Sequence, residues 1–447
     1  MPPFKRCLLS PVHCILYAAI SCLCCSTAHA SEFSLLPSIT VSEEYNDNVF
    51  ETTNDRISDY ITTLMPGIAL MYSAPFWDWD LNCHYDYRYY ANNSRNGDNP
   101  YYLDIKGKLR LIDDFMFLDV NDTYDRVSLN IARDRTQESL FINQSDSNIF
   151  TASPYFLFHP APKVTMKTGA RYMNVWYKNP NGIDRRDYIG FANATYAFSP
   201  RLDLTADYTY THEASIMPFD RQNPYIGFRY EYKDKSFFFG QAGYSWFSSK
   251  NGGSSNDPFW NAGITHTFDH FSVTLTSGVQ FPVDPLSGTT RETDYSFAVN
   301  KELKRGTVGA SVYYSDYKVI NAGPSSLSVS NKYGAAITAS HELTTKLNGT
   351  ISGSIERYNH TIAASSYTRR IYINPALTYT LPRDFTVALN YVFVDSYSPG
   401  VLNDTYQVNR VILELKKSFG KVQKRPAAVN DEKGLGTGDQ GPGSVVH

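Results

Sequence analysis

Two stretches bring together side chains that could do hydrolytic chemistry. His212-Glu213-Ala214-Ser215 and His360 with Ser365 each supply an imidazole and a hydroxyl, the first with a carboxylate beside them. In neither do a nucleophile, a base and an orienting acid recur at a telling spacing, so no enzyme is expected. His266 and His270 lie four apart, but on a strand-turn segment rather than on one helix face, so no metal site is expected. Of the six cysteines, Cys7, Cys14, Cys22, Cys24 and Cys25 fall in the first thirty residues. That leaves Cys83 alone, with neither a disulfide partner nor a CxxCH haem attachment, and no cofactor is expected.

The richest chemistry lies in charges that repeat every second residue. Between Asp78 and Tyr89 one parity reads Trp79, Leu81, Cys83, Tyr85, Tyr87, Tyr89 and the other Asp78, Asp80, Asn82, His84, Asp86, Arg88. A strand sends successive side chains to opposite faces, so one face is apolar and the other charged. Asp104, Lys106, Lys108 and Arg110 oppose Leu103, Ile105, Leu109 and Leu111 in the same way. Lys167 and Arg171, Asp203 and Asp207, and Arg229 and Glu231 extend the series. The apolar parity is interrupted by Gly and Thr but almost never by a charge.

Runs of this kind, mostly ten to fifteen residues, suit tilted membrane-spanning strands better than the short strands of a soluble sandwich. Short turns fall near Ala74-Pro75, Asp113-Asp114, Pro160-Pro162, Ser199-Pro200, Lys233-Lys235, Asp269-His270, Lys304-Gly306, Thr344-Thr345 and Pro382-Asp384. Between them lie longer polar loops such as Asn92 to Pro100, Ser128 to Ser147, Ser249 to Pro258 and Pro282 to Arg291. One hairpin per repeat predicts an all-β chain: a single transmembrane antiparallel up-and-down β-barrel of about 20 strands (18–20). Short turns would face the periplasm and long loops the exterior. Pro66, Pro154 and Pro375 fall inside strands, where proline cannot donate to a ladder, and bulges are expected there.

Composition agrees. Aromatics make up 15% of the chain, with 34 Tyr, while mean hydropathy is −0.36. Barrels need aromatics for two interfacial girdles. Residues 1–30 read as a signal peptide: Lys5 and Arg6, an apolar run from Leu8 to Cys25, then Ala28-His29-Ala30 before Ser31. The rival reading is a lipoprotein acylated on Cys22, which lacks the usual leucine three residues before it. Removing Lys5 and Arg6 takes the formal charge from −3 to −5, which gives no reason to expect nucleic-acid binding. The barrel would occupy 31–419. Its last strand alternates Val411, Leu413, Leu415 with Arg410, Ile412, Glu414 and closes on Phe419, and the Gly-rich segment 420–447 would form a disordered periplasmic tail.

Only a few residues separate Ser31 from the first strand at Leu35, so no plug domain is expected and any constriction must come from an infolded loop. Ser128 to Ser147 is the longest candidate, with Arg133, Asp134, Arg135 and Glu138, although a solvated external loop is the commoner form of such a segment. The expected lumen charges are mixed in sign, unlike the single-sign rings that set simple ion selectivity. They could hydrogen-bond sugar hydroxyls, and any wet lumen would also need them.

The run Pro37-Ser38-Ile39-Thr40-Val41-Ser42-Glu43-Glu44-Tyr45-Asn46-Asp47-Asn48-Val49-Phe50, followed by Thr62-Thr63-Leu64-Met65-Pro66-Gly67-Ile68, resembles the opening hairpin of the β-barrel porin 2 family. Asn409 to Phe419 is similar to that family's last strand. The motifs cover the two ends of the barrel, and the tail is a departure from the pattern. The resemblance implies an outer-membrane barrel in a Gram-negative-type bacterium, placed in lipid by barrel-insertion machinery. It further implies a conduit for an exopolysaccharide, meeting a periplasmic polysaccharide-export protein. A general or solute-specific diffusion porin and the sheath of an electron-transfer complex remain open alternatives.

Overall fold

The computed structural model describes residues 31–136, 138–249, 254–287, 289–321, 329–361, 366–399 and 404–420. The expected signal peptide and, from residue 421 onward, the expected tail lie outside them. Every regular element among the described residues is a strand: β1 (Glu32–Asn46), β2 (Asp59–Ala74), β3 (Trp77–Tyr85), β4 (Tyr87–Tyr90), β5 (Tyr101–Ile112), β6 (Met116–Ser128) and β7 (Gln144–Ala161). There follow β8 (Val164–Tyr177), β9 (Arg185–Ser199), β10 (Leu202–Ala214), β11 (Phe219–Lys233), β12 (Ser236–Ser249), β13 (Ser254–Thr267) and β14 (Phe271–Gln280). The wall is completed by β15 (Thr289–Leu303), β16 (Gly306–Asn321), β17 (Val329–Glu342), β18 (Leu347–His360), β19 (Tyr367–Leu381), β20 (Phe385–Tyr397) and β21 (Tyr406–Ser418).

Each strand pairs antiparallel with its sequence neighbours, and β1 pairs with β21 from Ser38↔Ser418 to Asn46↔Arg410. The sheet therefore has no free edge. Past Ser418 the Phe419 amide still donates to the Pro37 carbonyl at 2.8 Å, one residue beyond the end of β21. β3 and β4 are one stave in a single register against β2, which makes twenty staves from twenty-one segments.

Proline explains the break in that stave, and it does so without a bulge. Pro66 has no N–H to give at the point where β3 stops and β4 resumes, yet Gly67↔His84 and Leu64↔Tyr87 keep the same register. At Pro154 and Pro375 pairing likewise lapses on one side only. Ala152↔Tyr172 is followed by Tyr155↔Gly169, and Ile373↔Phe393 by Ala376↔Asn390, with nothing inserted. The expected bulges are thus replaced by skipped rungs, because the other neighbour (Leu118 for Pro154, Ile351 for Pro375) holds each proline in line. The strict alternation of short and long connectors fails at 215–218 and again before β13, which starts at Ser254, inside the expected loop of Ser249 to Pro258.

The two parities separate cleanly. Exposed large apolar side chains such as Ile39, Leu64, Ile226, Leu275, Ile337, Ile355, Leu389 and Leu413 occupy the outward parity. The outer face ends in Tyr and Trp near the loops (Tyr45, Tyr60, Tyr89, Trp176, Tyr188, Trp246) and in Phe near the turns (Phe76, Phe115, Phe198, Phe268, Phe419). Two aromatic girdles around an apolar band are the signature of a barrel set in a bilayer. Carboxylates on this outward parity include Asp122, cross-strand from Ile105, which is buried and held by the Asn148 amide at 2.7 Å, and exposed Glu43, which accepts from the Thr62 hydroxyl at 2.7 Å.

Outward Leu389 and inward Thr378 sit on neighbouring strands and test the assignment of faces. Leu389→Arg should destabilise the barrel by about 2–4 kcal/mol in urea titrations in lipid vesicles, whereas Thr378→Arg should cost little. Equal losses for the two would contradict the assignment of Leu389 to lipid and Thr378 to the lumen.

Candidate functional site

The inward parity carries the polar groups that could touch a cargo. Asp78 pairs across strands with Lys108 and Asp80 with Lys106, while Arg110 reaches Asp78 at 2.6 Å and Lys106 reaches Asp104 at 2.9 Å. Asp86 is bound by Arg88 at 2.9 Å. Asp203 faces Arg229 across β10 and β11, and Asp207 is held by the Asn193 amide. Lys167 stands 4.3 Å above the Tyr155 ring, Arg171 lies 5.9 Å from Phe191, and Glu231 sits beside Phe237. These charges gather on one side of the lumen, from β3 to β11. Toward the turn end of β16 to β20 the inward positions are mostly hydroxyls and amides, Ser311, Thr338, Ser352, Asn374, Thr378 and Asn390 being representative, with Glu342 at the rim of β17. The mixed wall read from the sequence is therefore divided into a charged half and a hydroxyl-and-amide half.

The loop 129–143 between β6 and β7 is folded into the barrel, not out into solvent as is commoner for such segments. Ala132 packs against Tyr317, Val329 and Tyr358 on β16 to β18. Since β6 and β16 lie half the circumference apart, this segment crosses the lumen. At its root Leu140 and Phe141 pack on a cluster of Val49, Ile61 and Tyr90, with Phe50 edge-on to Phe141 at 5.8 Å. Asp134 alone of the four expected constriction charges is exposed, where it caps Thr136.

The other three are buried and clasped to the wall. Arg133 binds Glu138 at 2.8 Å within the loop, Asp404 at 2.8 Å beyond β20, and the Tyr406 hydroxyl at 2.7 Å on β21. Glu138 also receives Arg370 of β19 at 2.8 Å and the Tyr406 hydroxyl at 2.8 Å. Arg135 pairs with Glu51 and, at 3.3 Å, with Asp404. Arg410 grips Glu44 across the barrel seam at 2.7 Å and donates to the Glu138 carbonyl at 3.3 Å. Arg370 in turn holds Glu356 at 2.6 Å.

Sequence reasoning did not single out Glu44, Glu51, Glu356, Arg370, Asp404, Tyr406 or Arg410. All but Glu51 and Asp404 lie on strands whose alternation places them inward, but nothing local marks them as partners of a segment that is 84 positions away from Glu51 and 268 or more from Tyr406.

Burial alone would raise the Glu138 carboxyl. Arg133 and Arg370, with Arg135 behind them, outweigh it and hold the group at about 2, below its ordinary 4.5. Depressing the folded value makes the clasp complete above the ordinary value and lost only as pH falls toward the folded one. Single-channel conductance in planar bilayers should therefore stay low from neutral pH through mild acid and rise only near pH 2. Glu138→Ala strands two guanidiniums, which costs a buried pair about 3–5 kcal/mol. That shifts the closed-to-open ratio by roughly two to four orders of magnitude. Glu138→Ala channels should thus be open at neutral pH and insensitive to acid; unchanged conductance would mean that the loop does not close the pore.

No family model and no curated protein matches the chain. Among solved structures it is similar to Pseudomonas aeruginosa OpdO, at 11% identity over 87% of this chain and 97% of that one, with a TM-score of 0.43. It is also similar to OccK1 (OpdK) of the same organism, at 10% identity over 86% and 99%, TM-score 0.42. The siderophore receptor PirA of that organism is similar at 10% identity over 88% and 81%, TM-score 0.47. Similarity at this level extends to neither cargo nor partners.

Proposed function

We propose that the protein is an outer-membrane conduit through which an exopolysaccharide leaves a Gram-negative-type cell. The observation that carries this reading is the divided lumen. A wall of hydroxyls and amides faces a wall of ion pairs and rings, so a hydrated polyhydroxylated chain finds hydrogen-bonding groups on both sides and no ring of one charge sign. With no catalytic set expected from the sequence, the driving force in this reading comes from synthesis and inner-membrane steps. The resemblance to the β-barrel porin 2 family supports the same cargo and a periplasmic polysaccharide-export protein at the turn-side mouth. In this reading the loop 129–143 is a lid that moves aside for the polymer.

The infolded loop itself favours a second reading, a porin for small polar solutes in which that loop is a fixed constriction. The two separate cleanly in cells and vesicles. For export, deleting the gene should abolish surface polysaccharide, and reconstituted protein should give slow swelling with disaccharides unless Glu138 is replaced. Normal polymer secretion in the deletion strain, together with rapid swelling by the unaltered protein, would establish the porin instead.

A further inference from the structure

The charged half of the lumen contains a construction that ion pairing does not require. Three dipeptides, Pro154-Tyr155, Pro224-Tyr225 and Pro258-Phe259, each put proline on the outward parity and a ring on the inward one. At the first two, pairing with the next strand lapses, since Ala152↔Tyr172 skips to Tyr155↔Gly169 and Gln222↔Trp246 to Tyr225↔Gly243. Opposite both rings stands a glycine. A Cβ at Gly169 would come within 2.4 Å of the Pro154 carbonyl and 2.9 Å of the Phe191 ring, and one at Gly243 within 2.1 Å of the Pro224 carbonyl and 2.5 Å of the Tyr225 Cβ. At both places the wall gives up ladder bonds, the strands close up backbone to backbone at a glycine, and a ring stands on the inward parity beside it.

The rings form two groups on either side of β10, whose inward Asp207 and Thr209 lie between them. Phe117 stacks on Tyr155 at 5.2 Å near the turn end, and Phe191 follows across Gly169. Further round, Tyr225 and Phe259 meet at 5.2 Å across Gly243, about midway along their strands. Cations border the lower part, with Lys108 5.4 Å from Phe117 and Lys167 over Tyr155. Phe191, Tyr225 and Phe259 are half-buried and so present ring surface to the lumen.

Polar groups beside the upper rings lack partners. Asn223 and Ser245 occupy the inward positions adjacent to Tyr225 and Gly243, with only 9% and 2% of their surface exposed. The Asn223 Oδ1 and Ser245 Oγ have no hydrogen-bond partner among the described residues. Buried polar groups are normally satisfied, so a ligand hydroxyl or water is called for at this point. A flat apolar face beside unfilled acceptors is what a pyranose ring needs, with its C–H face on the aromatic and its hydroxyls on the amide and hydroxyl.

We infer that Phe191, Tyr225 and Phe259, with Asn223 and Ser245, form a saccharide-binding track in the lumen, on which successive sugar units stack as the chain passes. The inference deepens the export reading by naming where the polymer is held, and it rests on that reading for the cargo class alone.

Current blockade in planar bilayers tests it, using the full protein with Glu138→Ala to hold the pore open and maltohexaose added on the turn side. Maltohexaose should produce concentration-dependent blockades that polyethylene glycol of equal size does not. In Phe191→Ala/Tyr225→Ala/Phe259→Ala the blockades should shorten about tenfold or more, corresponding to 1.4 kcal/mol or more. Tyr225→Phe/Phe259→Trp, which keeps the rings, should retain them. Refolding of each variant is checked by the electrophoretic shift on heating, so that a collapsed barrel is not scored. Equal blockade by polyethylene glycol, blockades unchanged in the ring-less variant, or none with maltohexaose would each overturn the track. Normal polymer secretion by a deletion strain would overturn export while leaving a positive blockade result standing.

Discussion

Hydrocarbon offers a peptide group nothing to bond with, and everything in this barrel follows from that constraint. An unpaired backbone amide or carbonyl in lipid costs several kcal/mol, so a spanning sheet must close on itself. Here closure is the β1–β21 seam, nine residue pairs from Ser38↔Ser418 to Asn46↔Arg410. Against that background the in-strand prolines are informative. Each forfeits rungs toward one neighbour while pairing with the other keeps it in register, so the wall stays shut and the side-chain parity is never reversed. A one-residue slip would turn the apolar band into the lumen.

Inside the barrel a related rule governs charge. An arginine or glutamate removed from water is tolerated only with partners, and the loop 129–143 obeys it by meeting the wall with three buried charges that the wall answers. Arg133, Arg135, Arg370 and Arg410 converge with Glu44, Glu51, Glu138, Glu356 and Asp404. Because such a network is strong only when complete, it behaves as a latch, and losing one member loosens the rest. Leu140 and Phe141 give the root of the segment an apolar hold that does not depend on charge.

The lumen is not uniform around its circumference, and this separates a conduit from a simple hole. Charged pairs and rings occupy the strands from β3 to β13, and small hydroxyls and amides occupy β16 to β20 toward the turns. The first half offers tight local contacts, the second many weak and interchangeable ones. In the proposed export reading, a chain held by one wall and lubricated by the other would advance without meeting a single deep site.

How much of this was legible before folding depends on range. The period-two alternation from Asp78 to Arg88, the spacing of turns and the ending at Phe419 are local signals, so they determined a barrel of about twenty strands and which residues face inward. The reason is that the side-chain period of a strand is a property of the backbone alone. The prolines were visible too, but not that they would skip rungs instead of bulging, because that depends on whether a second neighbour holds the register. Nor could the fate of Arg133, Arg135 and Glu138 be read, since a solvated loop and a clasped lid need the same polar residues. What decided between them was the meeting of Glu138 with Arg370 and Tyr406, side chains more than two hundred residues away. Only closure of the barrel brings those groups to one place, and only there does burial turn an ordinary charged loop into a latch.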